Sequence, residues 1–113
     1  MSEYDDDSAL LRKQRHFLQQ IEMELRRVNR EIIHRQIPEL DRESFMQLAL
    51  KVAELRTAYL QVALQLGRTE SGSEGAADLL VALGERRVAF EEARDAFAAL
   101  ERTIEQGYVD IQA

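Results

Sequence analysis

The stretch FMQLALKVAELRTAYLQVALQL, residues 45–66, carries the most informative apolar pattern in this chain. Large apolar side chains recur at alternating spacings of three and four residues, which is typical of a helix packed through a coiled-coil seam. The members of this seam are Phe45, Leu48, Val52, Leu55, Tyr59, Val62 and Leu66. The pattern therefore predicts a long amphipathic helix here.

The same helix carries a second apolar stripe outside the seam. Its members are Met46, Leu50, Leu60 and Leu64, with Ala53 and Thr57 between them. A helix that faces water on one side has no reason to place leucines there, so we expect burial by more than one neighbour. If the stripe is exposed instead, an apolar patch of this kind implies a partner. These four large residues are our candidate interaction site.

Amphipathic helices are also predicted before and after this one. In the preceding segment, about 8–36, the apolar seam is built on Leu11, Leu18, Leu25 and Ile32. In the following segment, about 74–106, the seam is Leu79, Leu83, Arg86, Phe90, Ala93, Phe97, Leu100 and Ile104. A charged seam residue must be paired or reach water, and it can set register and oligomeric state. We therefore add Arg86 to the candidate interaction residues, with Glu22 or Glu54 as possible partners.

A short break separates the first and second helices. Pro38 disfavours helical geometry in the residue before it and lacks the N–H that a continuing helix needs. Asp41 is a natural N-cap for a second helix over about 42–66. Because the break is short, we expect the first and second helices to form an antiparallel hairpin.

The second break, residues 67–73, is rich in glycine and serine and indicates a flexible linker. Ser71 and Ser73 are both candidate N-caps for the third helix. Gly107 is placed to cap its C-terminal end.

The predicted fold class is all-α, with three long amphipathic helices in a coiled-coil-like bundle. The chain divides into an acidic disordered tail at 1–7, a single helical bundle at 8–107 and a C-terminal tail at 108–113, which could dock or stay mobile. The predicted third helix is longer than the second, so it overhangs it. With the second stripe, this overhang favours self-association, most simply as a dimer.

Composition and charge exclude several functional classes. The 113 residues include no cysteine and two histidines, which excludes a disulfide scaffold, a zinc ribbon and a thiol enzyme. The net charge of −6 opposes nucleic-acid binding, although residues 8–36 carry seven basic and three acidic side chains. Nucleic-acid association through this basic helix is therefore the less favoured alternative. The acidic N-terminus lacks the features of a signal peptide, so we expect a cytoplasmic protein without a membrane segment.

One pair of residues is compatible with metal chemistry. Glu31 and His34 have the Glu-x-x-His spacing of carboxylate-bridged metal bundles. Such a site needs several of these groups to converge, and the sequence contains no second Glu-x-x-His step. A ferritin-like metal-binding bundle is therefore the minor alternative, and we expect no cofactor.

The sequence also lacks a Gly-rich phosphate loop and a Gly-x-Ser-x-Gly elbow, so we expect no enzyme. The favoured hypothesis is a non-enzymatic helical protein-protein interaction or assembly protein, such as an adaptor, a chaperone-like protein or a regulatory subunit. Its expected partner is a second copy of itself, with another protein as the further candidate. Binding would place apolar anchors in a groove between helices.

Overall fold

A computed structural model describes residues 3–112, with side chains described from Asp5 onward. The helices are α1 (Glu3–Gln36), α2 (Arg42–Arg68) and α3 (Glu74–Glu105). Two strands of two residues each, β1 (Leu40–Asp41) and β2 (Ile111–Gln112), complete the described elements. The all-α class with three helices is confirmed. Residues 1, 2 and 113, which belong to the two predicted tails, lie outside the described part.

The helices that pack together are α2 and α3. Phe45, near the start of α2, contacts Phe97 late in α3, with ring centroids 4.9 Å apart. Tyr59, farther along α2, stacks on Phe90 at 6.2 Å. This order of contacts requires the two helices to run antiparallel. The predicted hairpin of the first and second helices is therefore wrong, because the second and third helices form it.

Local capping residues set where the hairpin helices begin and end. The Asp41 carboxylate accepts a hydrogen bond of 2.6 Å from the Ser44 N–H at the start of α2. The Ser73 hydroxyl accepts one of 3.1 Å from the Ala76 N–H, so Ser73 rather than Ser71 caps α3. Gly107 follows α3 with a φ of +73°, the left-handed conformation that glycine adopts most readily. These caps confirm the predicted positions of both hairpin helices within one or two residues.

The end of α1 and the C-terminal residues meet the start of α2 at a junction, formed by β1, β2, Arg30 and residues 107–110. Strand β1 pairs in parallel with β2, with Leu40 opposite Ile111. The Leu40 N–H donates a hydrogen bond of 2.8 Å to the Asp110 carbonyl oxygen. Val109 beside this pair is only 6% exposed. The predicted C-terminal tail therefore docks as a short extended segment.

Side chains of α1 complete the junction. The Arg30 guanidinium donates to the Gly107 carbonyl oxygen at 2.6 Å and to the Asp110 carboxylate at 2.7 Å. On the next turn, His34 Nδ1 lies 3.7 Å from the other carboxylate oxygen of Asp110. The last two turns of α1 are thus tied to the segment that follows α3. This contact fixes the direction in which α1 leaves the hairpin.

Beyond the junction, α1 projects as an arm. Its 34 residues make it about 51 Å long, and the molecule measures 76 × 43 × 18 Å. The radius of gyration is 23.5 Å, whereas a compact domain of this length has one of about 13 Å. Within one chain, α1 therefore does not join the single bundle predicted over 8–107. The junction directs it away from the hairpin instead.

The arm also begins earlier than the sequence indicated. Helix α1 starts at Glu3 rather than at Ser8, so it includes the acidic residues assigned to a disordered tail. Carboxylates at a helix N-terminus interact favourably with its positive end, which is a physical reason for this extension.

Few side chains of this chain are buried. In the described part, the buried hydrophobic residues are Val52, Ala76 and Val109, each 6–7% exposed. The accessible surface is 9110 Å², whereas a folded monomer of 13.0 kDa exposes about 6,300 Å². The single chain thus leaves a large apolar surface in water.

Candidate interaction surface

The first exposed apolar surface is the seam of the arm. This arm seam consists of Leu11, Leu18, Leu25 and Ile32, and its members are 53–63% exposed. Leu10 and Phe17 widen it near the N-terminal end and are also more than half exposed. The chain itself thus provides no neighbouring helix for the face that the heptad pattern marks for packing.

The polar face of the arm is held by ion pairs between successive turns. Arg26 pairs with Glu22 at 3.5 Å, and Arg27 pairs with Glu31 at 3.1 Å. Exposed pairs at this spacing each stabilise a helix by about 0.3–0.5 kcal/mol. The arm therefore has local support for its helical form but little tertiary support.

The second exposed surface is the predicted stripe of α2. This outer stripe consists of Met46, Leu50, Leu60 and Leu64, which are 45–59% exposed. By contrast, Val52 in the seam of the same helix is 7% exposed. The expectation that α2 is buried by more than one neighbour is wrong for the single chain, because α3 covers one side of it. The outer stripe is instead an exposed apolar patch, which is the case in which the sequence implies a partner.

Part of the outer stripe shares one side of the hairpin with residues of α3. The guanidinium carbons of Arg56 on α2 and Arg94 on α3 lie 5.2 and 5.4 Å from the centroid of the Phe90 ring. Leu60 follows Arg56 by one turn, and Leu80 precedes Arg94 by two heptads, so both leucines extend along this side. Leu80 is 57% exposed, which continues the apolar surface from α2 onto α3.

Small residues line the same side of the hairpin. A Cβ atom built on Gly84 meets nothing within 4 Å, so the space above this glycine is open in the single chain. On α2, the exposed Ala53 lies between Leu50 and Leu60 of the outer stripe. Small residues at such positions let the backbone of another helix approach closely.

Arg86 lies in an open groove between α2 and α3, about 18 Å along α3 from its first residue. Arg68 and Leu64 line the same groove, so two of the predicted interaction residues, Leu64 and Arg86, are neighbours. Among the described residues, neither arginine forms an ion pair. The two carboxylates considered for Arg86 have other partners, since Glu22 pairs with Arg26 and Glu54 with Lys51. The Arg86 charge therefore reaches water, as its exposure shows.

The possible metal residues are occupied by other contacts. Glu31 accepts a hydrogen bond from Arg27, and His34 faces the Asp110 carboxylate. Across residues 3–112, no group of three or more histidine, aspartate or glutamate side chains is arranged to hold a metal ion. The structure thus places Glu31 against Arg27 and His34 near Asp110 rather than in a shared cluster.

Among the side chains described from Asp5 onward, the two carboxyls with a clearly shifted pKa belong to structural contacts. The Arg30 hydrogen bond and charge lower the pKa of the Asp110 carboxyl below its usual value. Hydrogen bonds from Ser44 lower the pKa of Asp41. Both groups are therefore held in their charged form by the junction and by the helix cap respectively.

The basic stretch of the arm and α3 have charges of opposite sign. Residues 8–36 carry seven basic and three acidic side chains, for a net charge of +4, although the acidic residues before Ser8 make the whole of α1 neutral. Helix α3 carries four basic and eight acidic side chains, for a net charge of −4. The basic stretch of the arm is thus electrostatically complementary to α3, although in one chain they diverge.

The junction residues Arg30, Val109 and Asp110 were missed by the sequence analysis. Helical periodicity gives no signal for them, because the C-terminal segment is short and extended. The only available signal was the β-branched pair Val109 and Ile111, which favours extended structure.

No helix in the described residues has the length and apolar character needed to cross a lipid bilayer. In comparisons with known proteins, no family model, curated protein or solved structure matches this chain.

Proposed function

We propose that this chain is a non-enzymatic assembly protein that self-associates through its apolar helix faces. The observation that supports this most strongly is the exposure of the arm seam. The four leucine and isoleucine side chains of the arm seam lie along a helix of 34 residues and are 53–63% exposed. Chains with this pattern bury it by packing against another helix.

The energetics support association. Burying one leucine or isoleucine side chain stabilises a protein by about 1.5–3 kcal/mol, and the arm seam alone offers four such residues. The accessible surface exceeds that of a compact monomer of equal mass by about 2,800 Å². A typical specific interface removes about 800 Å² from each partner. The exposed surface is therefore ample for a stable interface between copies.

The electrostatics also favour a binding role over catalysis. The two carboxyls with shifted pKa values, Asp41 and Asp110, serve a helix cap and the junction. Perturbed groups of an active site instead converge in a cleft with other reactive side chains.

Light scattering over a concentration series tests the proposal. We expect a mass of at least twice 13.0 kDa that falls on dilution or stays constant if binding is tight. A mass of one chain at all concentrations would overturn self-association.

The variant Leu60→Asp tests the outer stripe. Because Leu60 is 51% exposed and outside the α2–α3 seam, a carboxylate there should lower the mass without reducing the helical circular dichroism signal. Gln47→Asp, which adds the same charge at an exposed polar position of α2, is the control and should leave the mass unchanged. Unfolding by Leu60→Asp as a monomer would instead show that the stripe is core.

A further inference from the structure

We propose that two copies exchange arms, so that the arm seam of each chain covers the outer stripe of the other. This inference rests on the proposed function and names the contact by which self-association occurs. It commits to a second copy of this chain as the occupant of both exposed surfaces. The lengths, the charges and the shape of the molecule support it.

The two surfaces have similar lengths. At 1.5 Å per residue, the arm seam from Leu11 to Ile32 is about 32 Å long and the outer stripe from Met46 to Leu64 is about 27 Å long. A two-fold axis that brings the two junctions together lays each arm antiparallel to the partner's α2. When the two junctions lie at the same level, the arm seam from Ile32 to Leu11 lies alongside the partner's outer stripe from Met46 to Leu64.

The charges of the two surfaces attract each other in this arrangement. The basic stretch of the arm, at +4, lies along a hairpin whose residues 42–105 carry eight basic and eleven acidic side chains, for a net charge of −3. The acidic first turns of the arm, residues 5–7, extend to the far end of the hairpin. Arg68, in the last turn of α2, lies at that end. Opposite charges are thus placed at the tip of the arm as well as along it, which favours the antiparallel orientation.

The surface of the hairpin accommodates a third helix. Gly84 on α3 and Ala53 on α2 are small residues that would let an arriving backbone come close, and the space above Gly84 is open. Leu60, one heptad after Ala53, and Leu80, one turn before Gly84, provide exposed apolar contact from both helices of the hairpin. Each half of the dimer would then be a bundle of three helices, two from one chain and one from the other.

The junction disfavours the simpler arrangement in which an arm folds onto its own hairpin. That closure would have to reorient the last turns of α1, which Arg30 and His34 tie to Asp110. It would also move β1, which follows α1 in the chain and is paired with β2. Exchange between two copies covers both the arm seam and the outer stripe and leaves the junction intact.

Complementation between two full-length variants tests the exchange. An arm variant carries Leu18→Glu and Leu25→Glu, and a stripe variant carries Leu60→Glu and Leu64→Glu. We expect each variant alone to have the mass of one chain at a concentration where the unmodified protein is a dimer. An equimolar mixture should form dimers, because one intact arm can still cover one intact stripe.

Each other outcome identifies a different contact. A stripe variant that remains a dimer would overturn exchange in favour of arm-to-arm packing, and an arm variant that remains a dimer would indicate stripe-to-stripe packing. In both cases the proposed self-association would stand. A monomeric unmodified protein would instead contradict the proposed function itself. Gln20→Glu and Gln47→Glu, which add charge on polar positions of α1 and α2, are the matched controls and should remain dimeric.

Chemical cross-linking tests the same contact without depending on the stability of the dimer that forms between the two charged variants. The chain lacks cysteine, so Gln14→Cys on the arm and Gln61→Cys on α2 introduce single thiols into otherwise thiol-free chains. With a flexible bifunctional thiol reagent, we expect cross-linked dimers in a mixture of the two variants. Cross-linking confined to the Gln14→Cys sample alone would overturn the exchange.

Discussion

The hairpin of α2 and α3 and the arm α1 carry the same kind of seam but differ in what covers it. In the hairpin, Phe45 and Phe97 pack at 4.9 Å and Val52 is buried. In the arm, Leu18 occupies an equivalent heptad position and is 63% exposed. The comparison teaches that a heptad pattern specifies a face to be covered without specifying whether its cover comes from the same chain.

Truncation of a seam residue should give the largest difference in stability between a change in the hairpin and a change in the arm. Phe97→Ala removes a packed ring from the hairpin and should lower the free energy of unfolding by about 3 kcal/mol. Leu18→Ala removes an exposed side chain and should change it by less than about 0.5 kcal/mol in the dissociated chain. Urea denaturation at low protein concentration measures both. Equal losses would mean that the arm is covered within one chain.

Removal of a cap should weaken the hairpin by a smaller amount. Ser73→Ala deletes the hydroxyl that accepts from the Ala76 N–H and should cost about 1 kcal/mol. Ser71→Ala is the matched control two residues earlier and should cost a few tenths of a kcal/mol at most. Denaturant midpoints of the two variants make this comparison. A larger loss for Ser71 would place the start of α3 differently.

Filling Gly84 should have an effect of similar size and opposite sign. Alanine is favoured over glycine in a helix interior by about 1 kcal/mol, and a Cβ atom here meets no neighbour. Gly84→Ala should therefore raise the stability of the dissociated chain. If the same variant weakens the dimer in sedimentation experiments, the partner's helix approaches the hairpin at this glycine.

The smallest expected effect is a change in the direction of the arm with pH. Because the pKa of Asp110 is lowered from 3.8 by Arg30, its contribution to the junction is present above that pH. It is lost as the pH falls further, through the lowered value, and the carboxylate becomes protonated. Distances between spin labels on the arm and on α2 should then broaden. In Asp110→Asn they should be broad at neutral pH and insensitive to acid.

Local signals were sufficient for the hairpin elements. The seam spacing, Asp41 and the serine-rich linker each act within a few residues, so the sequence alone located α2 and α3 closely. The exposure of Leu60 and Leu64 was not the expected outcome, since the pattern favoured burial of α2 by more than one neighbour and gave exposure only as the condition that implies a partner. At the start of α3, the choice between Ser71 and Ser73 also required the structure.

The direction of the arm could not be predicted because its causes are distant in sequence. The expected pairing of the first and second helices relied on the short break at Pro38, which says only that the chain turns. The turn is instead governed by Asp110, which lies 80 residues after Arg30. Neither residue belongs to a periodic pattern that links them.

That separation also bears on the order in which the molecule forms. The contacts of the hairpin bridge a short linker, whereas the contact of Arg30 with Asp110 closes a loop of about 80 residues, which costs more chain entropy. During synthesis, α1 leaves the ribosome before Asp110 has been made. The helix that is synthesised first thus receives its orientation last, and until then its apolar seam is free to meet another nascent chain.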